Sequence, residues 1–415
     1  MKHILYIVLF ALFATGCSDS GISPEDLTEQ KTAIIYFSAQ NSLSRYVMRD
    51  MQEIAQGAPS LKKGETVVVY LDRDEGTEIY VFDRTHTALT PTLRYDSNLD
   101  SSDPVTLAKV LGWVRTNYPA KDYGLTLWSH ADGWLPPVNT DYQSAASHKW
   151  SKSFSIDDGD DAFATDRGTA ISIENLAKVL SASGMKFRYL FFDACLMQCL
   201  ECDYALRNVA DYIIGSPIST TADGAYYVHQ LTKGLFSDDP VDIARTYYED
   251  VVAMVSSSYS MGIVVSAVKT AELDSLATLT KQLVEKNGIS FEDAGMTNYS
   301  LFPMDGVQAY AAYTARTFYR PDYFDAAGII NKVLPEVDAA LWRAQLDNCV
   351  VYKAGTPTFY ASSESGDGFF SLQEGFCGVS MFVPQQKYTD NAALCLYGDL
   401  NAAWPDTQWA KAVTR

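Results

Sequence analysis

Strand-like segments alternate with helix-like segments through the first half of the chain, and this alternation limits the possible folds more than any other feature. Between the first two strand-like runs, Leu43, Val47, Met51 and Ile54 recur at helical spacing. Runs rich in β-branched and aromatic residues lie at residues 31–37, 66–72, 78–83, 124–130, 186–194 and 212–216. The alternation predicts an α/β fold: a mostly parallel sheet that is flanked by helices.

The same pattern gives a predicted domain organisation. Asp103-Pro104 and Ser172 are typical helix starts. After about residue 235 the pattern becomes helix-rich, and it returns to a strand-like run at residues 377–384. With 415 residues, of which 47% are hydrophobic, the chain is long enough for two or three packed units. We therefore expect an α/β unit over residues 31–234 and a helix-rich, mixed extension over residues 235–415.

The first residues predict export. Lys2 precedes an apolar run, and the small residues Ala14, Thr15 and Gly16 stand immediately before Cys17. This arrangement is typical of a secretory signal over residues 1–16. It also resembles the lipobox of bacterial lipoproteins, which implies cleavage before Cys17, a lipid on its sulfur and a polar tether over residues 17–30. The predicted location is the bacterial cell envelope, with the protein held on the membrane by this lipid. The alternative is an ordinary signal peptide that happens to be followed by a cysteine.

Charge excludes one class of partner. Without residues 1–16 the chain has 31 basic and 51 acidic residues, a net charge of −20. Such a surface repels nucleic acid and anionic lipid, so no nucleic-acid partner is expected. It suits cationic partners, although an acidic balance is equally common on proteins that need only solubility.

Three cysteines, Cys195, Cys199 and Cys202, form a C-x₃-C-x₂-C spacing that is also found in iron–sulfur enzymes. An iron–sulfur cluster would need a reducing compartment, which the export signal argues against. No nearby histidine or second cysteine pair completes a zinc site. At i, i+4 and i+7 the three side chains are expected to share one helical face, where Cys199 and Cys202 are interpreted as small buried side chains. A disulfide between these two is disfavoured by their spacing on one helical turn.

Cys195 differs from the other two because it directly follows an apolar strand. The carboxyl edge of a parallel sheet is where open α/β folds place their ligand sites. A thiol next to a helix start is a good nucleophile, and a helix beginning at Cys195 is expected. A thiol nucleophile needs a base, and His130 ends another predicted strand, with Gly133 allowing a sharp turn after it. The alternative for His130 is a packed or capping histidine.

The two motifs LWSHADGW and FDACLMQ together resemble the clostripain family of caspase-like cysteine peptidases. Weaker similarity lies in AQNSLSRYVMRDMQEI, SIENLAKVL and CGVSMFVP. The resemblance implies a dyad in which Cys195 attacks a peptide carbonyl and His130 handles the proton. It also implies an oxyanion site made of the backbone N–H groups of Cys195 and Ala131. The family usually has glycine where this chain has Ala131, which restricts φ at that position.

The resemblance further implies a specificity pocket for Arg or Lys, built from carboxylates. Asp193 matches one pocket position directly, and Asp223 matches a second one more loosely. The expected partners are therefore proteins or peptides with basic residues. The alternatives are a strand-end cap for Asp193 and an ordinary turn residue for Asp223. An inactive binding lipoprotein on the same scaffold is the alternative function, and Ala131 is the only feature that favours it.

The stretch 135–169, which lies between the two dyad members, is where the resemblance implies an activating self-cleavage. Its candidate cleavage sites are Lys149, Lys152 and Arg167. No cofactor and no metal site are expected. The acidic run Asp157–Asp166 has oxygen ligands suited to calcium, but its spacing is not that of an EF-hand, and a solvated acidic loop is the simpler interpretation.

Overall fold

The structure is a computed structural model. It describes residues 30–136, 154–159, 169–255, 261–289, 304, 306–311, 322–361, 368–390, 392 and 398–414. The predicted signal and tether, with Cys17, therefore lie almost wholly outside the described residues. No helix within these ranges is long and apolar enough to cross a membrane.

A nine-stranded sheet forms the centre of the molecule, in the order β13-β10-β9-β8-β5-β1-β2-β3-β4. The five central strands, β9, β8, β5, β1 and β2, are parallel. The strands on both flanks are antiparallel. The nine strands are β1 (Lys31–Ser38), β2 (Glu65–Arg73), β3 (Gly76–Phe82), β4 (Leu93–Arg94), β5 (Asp122–Trp128), β8 (Phe187–Asp193), β9 (Ala210–Gly215), β10 (Val264–Lys269) and β13 (Val350–Gly355). The predicted mostly parallel α/β sheet is confirmed.

Helices cover both faces of this sheet, which explains why its central strands are apolar on both sides. In β1, Ile34 and Tyr36 belong to the core on one face, whereas Ile35 and Phe37 belong to the core on the other. The second face is covered by Ser44–Gly57 and Val241–Val255. The first face is covered by the longer set Pro104–Asn117, Ile173–Ala182, Leu200–Leu206, Leu273–Lys286, Ala326–Val333, Glu336–Cys349 and Gln408–Thr414.

Two of these helices begin where the sequence predicts. The Asp103 side chain accepts a hydrogen bond from the backbone N–H of Val105, and the Ser172 hydroxyl accepts one from Asn175. Each cap satisfies an N–H group that the first helical turn leaves without a partner. Local sequence is therefore sufficient to place these helix starts.

The predicted division at residue 234 falls inside one continuous sheet. β10 pairs with β9 and β13 pairs with β10, so residues after 234 extend the sheet built by residues before it. The predicted strand at 377–384 is reduced to the two-residue β16, which belongs to a small three-stranded sheet. The remaining elements are β6 (Phe154–Asp157), β7 (Thr169–Ile171), β11 (Ala309–Ala311), β12 (Tyr323–Asp325), β14 (Thr358–Ala361), β15 (Gly368–Ser371), β16 (Ser380–Met381) and the short helices Tyr227–His229, Gln386–Asp390 and Leu400–Ala403.

Candidate active site

The register of two neighbouring parallel strands brings the two motifs together. Trp128, the last residue of β5, pairs with Asp193, the last residue of β8. His130 and Cys195 each follow their paired strand end by two residues, so both emerge at the same place on the carboxyl edge of the sheet. Both side chains line one pocket of about 110 Å³. The other lining residues are Leu43, Trp128, Ser129, Asp193, Thr220, Thr221, Ala222 and Gly224.

The turn after β8 holds Cys195 away from the helix that follows. Leu196 has a φ of 60°, in the left-handed region that a leucine rarely adopts. The helix begins only at Leu200, with Cys199 as its N-cap. The expectation that Cys195, Cys199 and Cys202 share a helical face is therefore wrong, and the helix start is not next to Cys195. The strained turn, which a spacing argument could not detect, separates the three thiols.

The burial of the three cysteines differs accordingly. Cys199 and Cys202 are fully buried in the core on one face of the sheet, as predicted, and burial raises the pKa of both thiols. Cys195 is partly exposed and contacts a separate apolar cluster that contains Leu196 and Ile218. Within the described ranges, no three His, Cys, Asp or Glu side chains are arranged to hold a metal ion.

The loop after β9 contacts the Cys195 sulfur directly. The backbone N–H of Thr220 donates to Sγ at 3.3 Å, and the Thr220 hydroxyl lies 3.6 Å from the same atom. A donated N–H favours negative charge on the sulfur. Thr220 could not be recognised from the sequence, because it stands in an ordinary polar loop.

The ring of His130 is held from the other side by the chain after β1. His130 Nε2 and the Ser42 hydroxyl form a hydrogen bond of 2.9 Å. Ser42 lies in AQNSLSRYVMRDMQEI, a segment that resembles the clostripain family, but nothing in the sequence distinguishes Ser42 from its neighbours. The hydrogen bond fixes the orientation of the ring and engages one of its two nitrogens.

Close packing joins the loop after His130 to the loop after Cys195. Gly133 has a φ of +65°, and a Cβ atom at this position would lie 2.8 Å from the carbonyl oxygen of Leu196. The sharp turn predicted for Gly133 is confirmed. The hydroxyl of Tyr323, in β12, donates to the carbonyl oxygen of Asp132 at 2.7 Å. The small C-terminal sheet therefore supports the loop that follows His130.

Ala131 adopts an ordinary backbone conformation. The residues other than glycine with a positive φ, within the described part of the chain, are Ser155 and Leu196. Ala131 is buried and forms a β-bridge with Phe154. Alanine at this position is therefore accommodated without the strain that a positive φ would impose.

Asp193 is buried at the base of the pocket. Its Oδ2 accepts hydrogen bonds from the backbone N–H of Ala225 and from the Tyr227 hydroxyl, each at 3.0 Å. Its Oδ1 has no hydrogen-bond partner among the described residues. Burial raises the pKa of Asp193 to about 6, against the lowering effect of these hydrogen bonds and of the nearby Tyr247 hydroxyl. At neutral pH Asp193 is thus mainly ionised.

Asp223 is more exposed than Asp193. Its carboxylate is about 44% exposed and accepts a hydrogen bond from Arg49 Nη1 at 2.7 Å. Its two neighbours in sequence, Ala222 and Gly224, line the pocket. A Cβ atom at Gly224 would lie 2.7 Å from Asp193 Oδ2, so only glycine leaves this loop close to the buried carboxylate. Asp223 therefore stands at the pocket rim with a counter-ion, and Asp193 at its base.

Of the remaining predicted residues, only the start of the acidic run Asp157–Asp166 lies in the described chain. Asp157 is buried and accepts hydrogen bonds from the backbone N–H and the hydroxyl of Ser101. Lys149, Lys152 and Arg167 lie outside the described residues, as does most of the 135–169 stretch.

Comparison with known proteins agrees with this architecture. The sequence profile of the clostripain family matches residues 35–414, nearly the whole chain.

The chain belongs to the clostripain family.

Solved structures of C11 cysteine proteases are similar over most of their length. One is an inactive zymogen C11 protease from Parabacteroides distasonis, with 26% identity, a TM-score of 0.72, and coverage of 94% of this chain and 99% of the other. Another is a secreted C11 cysteine protease from Bacteroides thetaiotaomicron in complex with an irreversible peptide inhibitor, with 24% identity, a TM-score of 0.73, and coverage of 92% and 98%. The second similarity concerns the fold alone. No curated protein matches the sequence.

The clostripain family consists of cysteine peptidases, and the chain shares their caspase-like fold. The recognition made from LWSHADGW and FDACLMQ is thereby confirmed.

Proposed function

We propose that this clostripain-family protein is an exported endopeptidase that cuts peptide bonds after Arg or Lys, with Cys195 as nucleophile and His130 as its base. One observation carries the specificity: the buried Asp193, with Oδ1 lacking a partner among the described residues, lines the same pocket as Cys195 and His130. A buried anion with an open acceptor is matched best by a cationic side chain.

The chemistry follows from the arrangement of these groups. Because Ser42 engages Nε2 of His130, Nδ1 is the nitrogen that exchanges the proton with Cys195. The thiolate attacks the carbonyl carbon, and the proton held by His130 passes to the departing amine when the C–N bond breaks. Water, deprotonated by His130, then attacks the thioester, which releases the acid product and restores the Cys195 thiol.

The negative oxygen formed during each attack needs donors. We assign this role to the backbone N–H groups of Cys195 and Ala131. The ordinary φ of Ala131 and its close support by Phe154 favour this assignment, because preorganised donors stabilise the transition state without reorganising. The alanine in place of the family's usual glycine is thus compatible with catalysis.

A basic side chain in the pocket would meet two carboxylates that differ in burial. A charge-assisted hydrogen bond to buried Asp193 contributes about 1.5 to 3 kcal/mol, or tenfold to a hundredfold in discrimination. At the rim, Asp223 is exposed and already neutralised by Arg49, so its contribution is smaller. Asp193 therefore supplies most of the preference for basic residues.

Maturation by self-cleavage within the stretch 135–169 is part of the proposal, with Lys149, Lys152 and Arg167 as candidate positions. The β-bridge between Ala131 and Phe154 supports it, because the chain that returns from this stretch lies directly against the residue after His130. The Parabacteroides distasonis relative was solved as an inactive zymogen, which agrees with a precursor form in this family.

We further propose that the protein is anchored in the bacterial cell envelope by a lipid on Cys17. The support is the apolar run that ends in Ala14-Thr15-Gly16 directly before this cysteine. Cells fed a clickable fatty acid should label the wild-type protein and not the Cys17→Ser variant. Unlabelled wild-type protein would contradict the anchor without affecting the peptidase proposal.

The specificity is tested with fluorogenic peptides that differ only in the residue before the scissile bond: Arg, Lys, citrulline, norleucine and Gln. Citrulline has nearly the shape of Arg but no charge, so the ratio of kcat/KM for Arg over citrulline isolates the charge. We expect a ratio of at least tenfold for the wild type, and a fall of tenfold to a hundredfold in Asp193→Asn with little change for citrulline. Equal cleavage after citrulline, Gln and Arg would refute the basic pocket.

A further inference from the structure

Helix Ser44–Gly57 carries a buried acid to which the reaction above gives no role. Asp50 is 1% exposed, and both of its carboxylate oxygens are buried without a hydrogen-bond partner among the described residues. Burial of an unpaired carboxylate is costly, and an apolar side chain would fill a helix–sheet interface at a lower cost. A carboxylate in this position is therefore suited to a cationic ligand.

The contacts of its neighbours place Asp50 beside the pocket. Asp50 and Glu53 are one turn apart and so share a face of the helix. Glu53 Oε2 accepts the backbone N–H of Tyr227 at 3.0 Å, and the Tyr227 hydroxyl donates to Asp193 Oδ2 at 3.0 Å. The helix face that carries Asp50 is therefore joined through one residue, Tyr227, to the carboxylate at the base of the pocket.

We propose that Asp50 is a second buried carboxylate of the specificity pocket, which ionises when a basic side chain binds and shares the positive charge with Asp193. This inference rests on the proposed specificity for Arg or Lys. It makes Asp50 a specificity-determining residue that the family motifs do not indicate.

The surroundings of Asp50 favour its protonated form when no cation is bound. The groups around it are Arg49 and Glu53 on its own helix, Asp193 at the end of β8, Asp223 after β9, Tyr227, and Tyr247 beyond Asp193. The acids outnumber the single cation. Burial, with the negative charge of Asp193 as the next cause, raises the pKa of Asp50 to about 9.

Entry of a guanidinium or ammonium group reverses this balance. The O–H bond of Asp50 breaks, the proton goes to solvent, and the carboxylate forms an ion pair with the substrate. Binding of each basic side chain then releases up to one proton at pH values below about 9. By linkage, the affinity for a basic residue rises with pH in this range, by up to tenfold per pH unit.

The test uses the ratio of kcat/KM for Arg over citrulline substrates between pH 6.5 and 9. Ionisation of Cys195 and His130 affects both substrates equally and cancels in the ratio. For the wild type we expect the ratio to rise several-fold per pH unit. In Asp50→Asn the rise above pH 7 should disappear, and the ratio at pH 8.5 should fall about tenfold, whereas cleavage after citrulline is retained.

Asp72→Asn is the matched control. Asp72 is equally buried, its Oδ2 lacks a partner among the described residues, and burial raises its pKa to about 9, but its charged neighbour is Asp157 rather than Asp193. This variant should keep the wild-type ratio and its pH course. An Asp50→Asn enzyme with the same ratio and pH course as wild type would overturn the inference.

A second measurement does not depend on the folding of an Asp50 variant. Calorimetric titration of the Cys195→Ala protein with an Arg peptide, in two buffers of different ionisation enthalpy, should show up to one proton released at pH 8. If no proton is released, the role of Asp50 is overturned. The proposed specificity would still stand if the wild type prefers Arg over citrulline. The absence of that preference in wild type would instead refute the specificity itself.

Discussion

The connection after β8 has a pocket side, which carries Cys195, and a core side, which carries Cys199 and Cys202. The cysteines on the two sides differ in burial and in hydrogen bonding. On the pocket side, Cys195 is partly exposed and its sulfur accepts a hydrogen bond from Thr220. On the core side, Cys199 and Cys202 are fully buried, and burial raises the pKa of both thiols. The difference arises at Leu196, whose positive φ turns the chain between them. Cysteines only four positions apart therefore acquire different environments through one backbone turn.

Removal of the pocket-side sulfur should have the largest effect. Cys195→Ala is expected to lower kcat/KM by at least a thousandfold, because it removes the sulfur that we propose forms the thioester. Cys202→Ala, the matched core-side change, should keep most of the activity per folded molecule. Peptide hydrolysis and labelling by an irreversible peptide electrophile measure both. Equal loss in both variants, with iron bound to the wild type, would favour a metal cluster.

A side chain at Gly133 should disturb the packing that holds the pocket side in place. Gly133→Ala combines a φ of +65° with a Cβ atom 2.8 Å from the Leu196 carbonyl oxygen, so the two loops must move apart. We expect a tenfold or greater loss of kcat/KM and a destabilisation of about 2 to 4 kcal/mol.

Gly288→Ala is the control for this prediction. Gly288 has a φ of +62°, and no described residue lies within 4 Å of the added Cβ, so the expected cost is the backbone strain of about 1 kcal/mol. Denaturant unfolding and peptide hydrolysis of the two variants separate strain from close packing. Similar losses in both would mean that the Gly133–Leu196 contact does not hold the site.

On the core side, a buried acid should make stability depend on pH. Burial raises the pKa of Asp203 well above its ordinary value, so this side chain takes up a proton when the protein folds. The free energy of unfolding therefore falls as the pH rises from the pKa of Asp203 in the unfolded chain towards its pKa in the folded protein. Asp203→Asn should therefore stabilise the protein by about 1 to 2 kcal/mol at pH 8 and by less at pH 5. Urea unfolding at both pH values tests this, and a gain that does not grow with pH would contradict it.

The smallest effect is expected for a polar replacement in the core. Cys202→Ser buries a hydroxyl among apolar side chains, which should cost about 1 to 2 kcal/mol of unfolding free energy. Turnover by the folded fraction should stay close to wild type, in contrast to Cys195→Ser. A loss of turnover in a stably folded Cys202→Ser protein would remove the distinction between the two sides.

Most of the central sheet could be predicted from the sequence, but the strands β10 and β13 at one of its edges could not. The runs in β1, β2, β5 and β8 are apolar and bounded by turn residues, so their periodicity is unambiguous. The strand β10 lies in a region that is otherwise helical, and β13 directly follows the helix Glu336–Cys349. Their place on the far edge depends on pairing over long sequence distances, which local pattern does not encode.

For the candidate site, the sequence indicates the motif residues but not the residues that pack around them. His130, Cys195 and Asp193 stand at strand ends, and the structure places all three on one pocket. Ser42 and Asp50 lie in one segment, at and just before the helix Ser44–Gly57, and Thr220 lies in the loop after β9; each is an ordinary residue in its local sequence. They are brought to the site by the way helices and loops pack on the sheet edge, which no spacing rule describes.

The sequence by itself determined the parallel sheet, the edge at which His130 and Cys195 emerge and the family that the two motifs resemble, because hydrophobic periodicity and residue chemistry are local properties. Tertiary structure decided the rest. It separated Cys195 from Cys199 and Cys202, paired Asp223 with Arg49, and buried Asp50 near Asp193 with no hydrogen-bond partner among the described residues. Burial and charge depend on which distant segments meet, and those meetings are fixed only when the whole chain packs.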